Sequence, residues 1–133
     1  MIKKCGIILW NQSKEQIFLV YGKKSSKWGF PKGHMEENET EEITAKREFY
    51  EETGFELDMN LQECNKYIIR NNVYFIVTIK DISEIQKKSN HIPDSKEIEK
   101  YQWFTINDLL KKNLQEYNFG LKTWILNKKY NQL

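Results

Sequence analysis

Glu48, Glu51 and Glu52 are the residues of this chain whose types and spacing promise chemistry. In a helix, at about 100° per residue, they fall within about one 100° arc. Thr44 and Ala45 fall beside them and are small, while Ile43, Phe49 and Tyr50 point elsewhere and are expected to pack. Two unit charges about 4 Å apart repel by about 4 kcal/mol at an effective dielectric of 20. The single guanidinium of adjacent Arg47 does not balance three carboxylates. A hard divalent ion with oxygen ligands does, and Mg²⁺ typically takes few carboxylates together with waters and substrate phosphates. An acidic face bathed in solvent would show the same spacing. The flanking residues tip the balance: Gly33 precedes the helix and offers a backbone carbonyl, and Lys32 and His34 beside it can reach phosphate oxygens.

A set of elements must position these groups. Cys5 to Trp10 and Gln16 to Tyr21 are apolar, β-branched-rich runs around a polar turn, which predicts an antiparallel hairpin. Trp28 to Pro31 reads as extended, because the residue before proline disfavours helix. Gly33 is expected in a loop. A helix is predicted over Glu39 to Thr53, with Asn38 as N-cap, Glu41 three residues on, and Gly54 as the stop. Asn65 to Ile69 and Val73 to Ile79 read as strands joined at Arg70-Asn71-Asn72, Ser83 to Ser95 as a loop, and Ile98 to Phe104 as a strand. Thr105 caps a short helix over Ile106 to Lys111, and a longer helix is expected over Glu116 to Tyr130. There Tyr117, Leu121, Trp124, Ile125 and Lys128 form a stripe expected to be mostly core. Strands and helices mix without strict alternation, which argues for a mixed sheet with helices on its faces.

Charge is distributed in blocks. Met1 to Gly33 holds seven lysines and one acid, His34 to Glu63 eleven acids against Lys46 and Arg47, and Lys111 onward five lysines and one acid. A metal site flanked by phosphate-binding surface would show this arrangement. The 133 residues suit one domain, 1–133. No apolar run approaches the ~20 residues that span a bilayer, and no signal peptide is apparent, so a soluble, cytoplasmic protein is expected, without membrane partners. Cys5 and Cys64 are read as buried free thiols.

The segment from Gly33 to Phe55 resembles the signature of the Nudix hydrolase family, G-x5-E-x7-R-E-U-x-E-E-x-G-U, with U a bulky apolar residue. Gly33, Glu39, Arg47, Glu48, Glu51, Glu52 and Gly54 fill all seven fixed positions at the family spacing. Chance agreement at one starting position is on the order of 10⁻⁸ at ordinary residue frequencies. Phe49 departs mildly, since aliphatic residues are usual there. The resemblance implies an α/β fold, a Nudix-type α/β/α sandwich with a mixed β-sheet, and Mg²⁺- or Mn²⁺-dependent attack of water on a nucleoside diphosphate linked to another moiety. It implies Glu48, Glu51, Glu52 and the Gly33 carbonyl as metal ligands, Arg47 and Glu39 as groups that orient the helix carboxylates, and Gly54 as a structural position. One of the glutamates, or a carboxylate outside the motif, would serve as base. Glu97 is preferred for that role and Glu99 comes second.

Trp28 to His34, with Cys5-Gly6 and Tyr101-x-Trp103, is similar to the bis(5′-nucleosyl)-tetraphosphatase branch. The same string with the helix end Arg47 to Phe55 is also similar to mRNA-decapping Nudix domains. A dinucleoside polyphosphate such as Ap4A is the first expectation for the substrate. Capped RNA or an RNA 5′ end, a diphosphoinositol polyphosphate and other nucleotides follow in that order. Lys23, Lys24, Lys27, Lys87 and Lys88 would suit a polyphosphate or an RNA backbone. Lys32, His34, Tyr67 and Tyr101 are the expected substrate contacts. Trp28 and Tyr74 are weaker stacking candidates, Trp28 being read as mainly structural, and His91 is read as exposed. A non-catalytic nucleotide- or RNA-binding module is the alternative class, and a monomer or a homodimer is expected.

Overall fold

The computed structural model describes residues 3–87 and 97–131, with backbone only at 86–87 and 129–131. The predicted hairpin forms as β1 (Lys4–Asn11) and β2 (Gln16–Gly22). Its strands pair only near the turn, at Trp10↔Ile17 and Asn11↔Gln16, and then part. Beyond that point β2 continues with β3 (Trp28–Gly29) on one side and β9 (Ile98–Thr105) on the other. The first residues of β1 take a different partner, β4 (Lys32–His34), with Cys5 opposite Gly33 and Lys4 opposite His34. Gly33 therefore lies in a short strand and not in a loop, because β1 offers it a free edge.

The far edge of β1 pairs along its whole length with β7 (Asn72–Ile79), and this is the parallel contact of the sheet. Strand β6 (Lys66–Ile69) closes that side through the turn at Arg70, whose φ is 54°. The sheet is mixed, in the order β3-β2-β1-β7-β6. A two-stranded ribbon, β5 (Phe55–Glu56) with β8 (Gln86–Lys87), stands apart from it. Part of the segment expected as loop thus carries structure, including a 3₁₀ turn at Ile82–Glu84. Lys88 and His91 lie outside the described residues.

The period-2 alternation of β1 and β7 feeds two cores. Cys5, Ile7, Leu9, Val73, Phe75 and Val77 pack with Ala45 and Phe49 of helix α1 (Glu41–Thr53). Ile8, Tyr74, Leu19 and Phe104 pack with Leu121 and Ile125 of α3 (Phe119–Asn131) and Leu109 of α2 (Ile106–Lys111). Helices on both faces of one sheet make the α/β/α sandwich that the family resemblance implied.

Helix α1 starts later than predicted. Thr40, not Asn38, is the N-cap: its hydroxyl accepts from the Ile43 amide. Asn38 takes a left-handed φ of 70° in the preceding turn, a conformation its short polar side chain tolerates. Glu41 makes no capping box and instead accepts from Lys3 and Lys66. Ile43, expected to pack, is 51% exposed. The stop is as predicted, with Gly54 at φ 81° donating to the Tyr50 carbonyl. Helix α3 begins at Phe119, and Tyr117 precedes it, fully buried, donating to the Leu109 carbonyl at 2.8 Å.

Candidate active site

Because β1 and β2 diverge, a cleft of about 390 Å³ opens between β4 and the start of β9. Lys4, Lys32, Gly33, His34, Glu36, Glu48, Glu52, Glu97 and Ile98 line it. Four glutamates against two lysines leave it net negative when all are ionised. Such a cleft repels a polyphosphate until a cation enters.

Arg47 fixes the carboxylate side. Its Nε and Nη2 donate to the two Glu39 oxygens at 2.6 and 3.0 Å. Its Nη1 donates to Glu48 at 2.9 Å and to Glu51 at 3.3 Å, and Nη2 also donates to the His34 carbonyl at 3.0 Å. Glu39 further accepts from the Glu36 amide and the Thr44 hydroxyl. The guanidinium first, then these bonds, hold its carboxyl down at about 2. The same carboxylates hold the Arg47 guanidinium firmly charged.

The three helix glutamates do not share one environment. Glu52 is 5% exposed and accepts from the Lys32 amide at 3.1 Å. Burial, reinforced by the Glu48 charge, raises its pKa to about 8. Burial also raises Glu48, against the pull of Arg47. Glu51 leans toward Arg47 on the outer side and does not line the cleft. Glu97 does line it, held by the Lys23 amide donating to its carbonyl at 2.8 Å. Glu99 stands apart, 4.0 Å from Lys100.

Among the described residues no three acidic, imidazole or thiol groups yet converge tightly enough to grip an ion. Arg47 and the Lys32 amide occupy part of the donor set. The donors nevertheless fit a hard divalent cation. They are all oxygens, and burial destabilises the charged forms of both Glu48 and Glu52, with the Glu48 charge adding to the effect at Glu52. A side-chain carbon at Gly33 would overlap the Glu48 carboxylate, so the Gly33 backbone reaches the acid because it carries none.

Of the expected substrate contacts, Lys32 and His34 line the cleft. Tyr67 and Tyr101 do not. Tyr67 packs on Tyr74 beneath α3, and Tyr101 lies 5.1 Å from the Phe18 ring beside the other core, both partly buried. Trp28 is buried edge-on against Phe104 and Tyr21, and Tyr74 against Phe30. Lys4 and Glu36 line the cleft without having been singled out from the sequence. Only the β1–β4 pairing brings Lys4 to Lys32, and no local motif marks it. Cys5 and Cys64 are free thiols, as expected, but only Cys5 is buried; Cys64 is partly exposed.

A single fold, a single helix and a single arginine brace account for the motif, and the chain belongs to the Nudix hydrolase family: the NUDIX domain matches residues 3–125. It is 37% identical over 116 residues to the mRNA decapping complex subunit 2 of Schizosaccharomyces pombe, covering 81% of this chain and 15% of that protein. To the m7GpppN-mRNA hydrolase of Saccharomyces cerevisiae it is 30% identical over 125 residues, covering 92% of this chain and 12% of that one. The chain thus spans less than a sixth of the length of these relatives. Among solved structures, a C. elegans Ap4A hydrolase binary complex superposes with a TM-score of 0.63 at 17% identity, covering 97% of this chain and 96% of the other. A NUDIX hydrolase from Nitrosomonas europaea superposes with 0.64 at 18% identity, covering 98% and 89%. At such identities these two share the fold. No helix among the described residues is long and apolar enough to cross a membrane.

Proposed function

We propose that residues 1–133 act as one Nudix domain that hydrolyses a phosphoanhydride bond in a polyphosphate bridging two nucleosides through their 5′ positions. Capped RNA is placed ahead of a free dinucleoside polyphosphate. The observation that carries the hydrolase reading is the Arg47 brace, which holds Glu39, Glu48, Glu51 and the His34 carbonyl in one network beside the cleft. The order of substrates rests on the relatives. Sequence strings alone favoured Ap4A, but identity of 30–37% to decapping proteins outweighs a likeness of fold.

In this reading Glu48, Glu51, Glu52 and the Gly33 carbonyl would hold Mg²⁺ or Mn²⁺. When bound, the ion neutralises phosphoryl oxygens and lowers the pKa of water. Glu97 takes the proton of the attacking water at its carboxylate. Lys32 and His34 bind phosphate oxygens. Arg47 and Glu39 position the helix acids and touch no substrate. Glu52, whose carboxyl burial holds up at about 8, would serve as a ligand in its ionised form. The setting proposed is cytoplasmic, as monomer or homodimer.

A free dinucleoside polyphosphate is the second reading, favoured by the Trp28–His34 string and by Cys5-Gly6. The test is turnover in Mg²⁺ of capped RNA, Ap4A, a diphosphoinositol polyphosphate and nucleoside triphosphates. Capped RNA is expected to give the highest kcat/KM. Preference for the inositol compound overturns the nucleoside assignment, and binding without turnover of any of them overturns the enzyme assignment.

A further inference from the structure

We infer that Lys4 is a substrate-binding residue that, with Lys32, takes the phosphates beyond the reacting one and so favours bridges of three or more phosphates; this rests on the hydrolase reading above. Lys4 lies opposite His34, and Gly6 lies opposite Lys32, in the β1–β4 pairing. Alternation along β1 puts the Lys4 side chain on the same side of the sheet as the open face of Gly6. That open face is filled by the Lys32 Cβ and the Pro31 carbonyl, so the Lys32 stem crosses β1 there. Lys4 stands two residues, about 7 Å, further along the strand. Both side chains are half-buried and both line the cleft.

Neither ammonium has a carboxylate within 4.0 Å among the described residues, although four glutamates line the same cleft. The neighbouring Lys3 shows the ordinary alternative: it pairs with Glu41 of α1 at 2.7 Å. Two ammonium groups lining one cleft, each without a carboxylate partner among the described residues, can both be met by a multivalent anion lying across them. The carboxylate side, from Gly33 to Glu52, is where the reacting phosphorus belongs in the proposed function. The Lys4 end therefore meets the part of the bridge that does not react.

The experiment compares the full chain with Lys4→Met and Lys4→Arg on dinucleoside di-, tri- and tetraphosphates in Mg²⁺, alongside calorimetric binding of inorganic tripolyphosphate. Loss of a charge-assisted contact corresponds to about 10- to 100-fold. Lys4→Met is expected to raise KM by that factor for the tri- and tetraphosphates and to weaken tripolyphosphate equally. It should leave kcat within about 2-fold and the diphosphate little affected, with Lys4→Arg restoring most of the loss. Normal hydrolysis by Lys4→Met with unchanged KM and unchanged tripolyphosphate binding overturns the assignment and leaves the hydrolase reading standing. If wild type turns over none of the substrates, a Lys4-dependent tripolyphosphate affinity still upholds Lys4 while the hydrolase reading falls. An equal KM rise for all bridge lengths overturns the length selection.

Discussion

Arg47 grips Glu39 with two parallel hydrogen bonds, Nε to one oxygen at 2.6 Å and Nη2 to the other at 3.0 Å. Fork-to-fork pairs of this kind fix orientation as well as adding energy. Both side chains are mostly shielded, at 24% and 13% exposed. Removing one partner strands the other. Arg47→Ala is expected to lower stability by about 2–4 kcal/mol, and a double-mutant cycle with Glu39→Gln should give a coupling of about 1–3 kcal/mol. Urea unfolding of the four proteins reads both numbers. Additive losses would mean that the pair does not act as a unit.

Gly33→Ala places a carbon where the Glu48 carboxylate lies. The obstacle is the far end of a flexible side chain, so Glu48 rotates away and the fold survives. Stability should change by less than about 1 kcal/mol, in the range of an ordinary surface change. Divalent-cation affinity should fall at least roughly 10-fold, the scale on which disturbing a ligand's surroundings acts. Calorimetric titration and thermal melting separate the two effects.

Glu52→Gln removes a buried charge but keeps its shape. Turnover should fall by roughly 10²-fold or more, as expected when metal-assisted catalysis loses a ligand. The metal-free variant should be no less stable than wild type at pH 8, because the cost of desolvating the carboxylate is gone. A large loss of stability would mark Glu52 as structural.

Opposite pKa shifts give opposite limbs to the pH–stability curve of the metal-free protein. Glu39, with a folded pKa of about 2, contributes stability that is complete above the ordinary carboxylate range and is lost as pH falls toward 2. Glu41 and Glu42, also lowered by their bonds to Lys3 and the Leu61 amide, act in the same direction. Glu52, with a folded pKa of about 8, binds its proton more tightly folded than unfolded. Its contribution is present below about 4.5 and lost as pH rises through 8. Metal-free stability should therefore decline from pH 5 to 8 by a few kcal/mol at most, and saturating Mg²⁺ should remove most of that decline. Denaturant midpoints across this range, with and without Mg²⁺, check it.

The motif was legible because it is local. Glu48, Glu51 and Glu52 lie on one helix, and Gly54 ends that helix with a left-handed turn that glycine adopts freely. The helix start is ambiguous in sequence because Asn38 and Thr40 are both acceptable caps, and the bond that the Glu36 amide donates to the Glu39 carboxylate belongs to the turn that precedes Thr40. Lys4 and Glu36 were invisible as site residues because only strand pairing and the parting of β1 from β2 bring them to the cleft. Tyr67 and Tyr101 pack at the two cores and do not line the cleft; an aromatic in a strand reads alike whether it faces a ligand or a core. Glu97, the sequence's first choice over Glu99, lines the cleft, and the two are separated by the register shift between Tyr21 and Gly22, where Glu99 is the extra residue of β9 and lies beside Lys100.

Direct titration of Mn²⁺ into the wild-type protein and into a Glu48→Gln, Glu52→Gln double variant, with substrate absent, tests the centre of the account. Saturable binding by the wild type, with affinity reduced about 100-fold or more in the folded double variant, is the result expected from the loss of two carboxylate ligands. Equal Mn²⁺ affinity in the two proteins would contradict it.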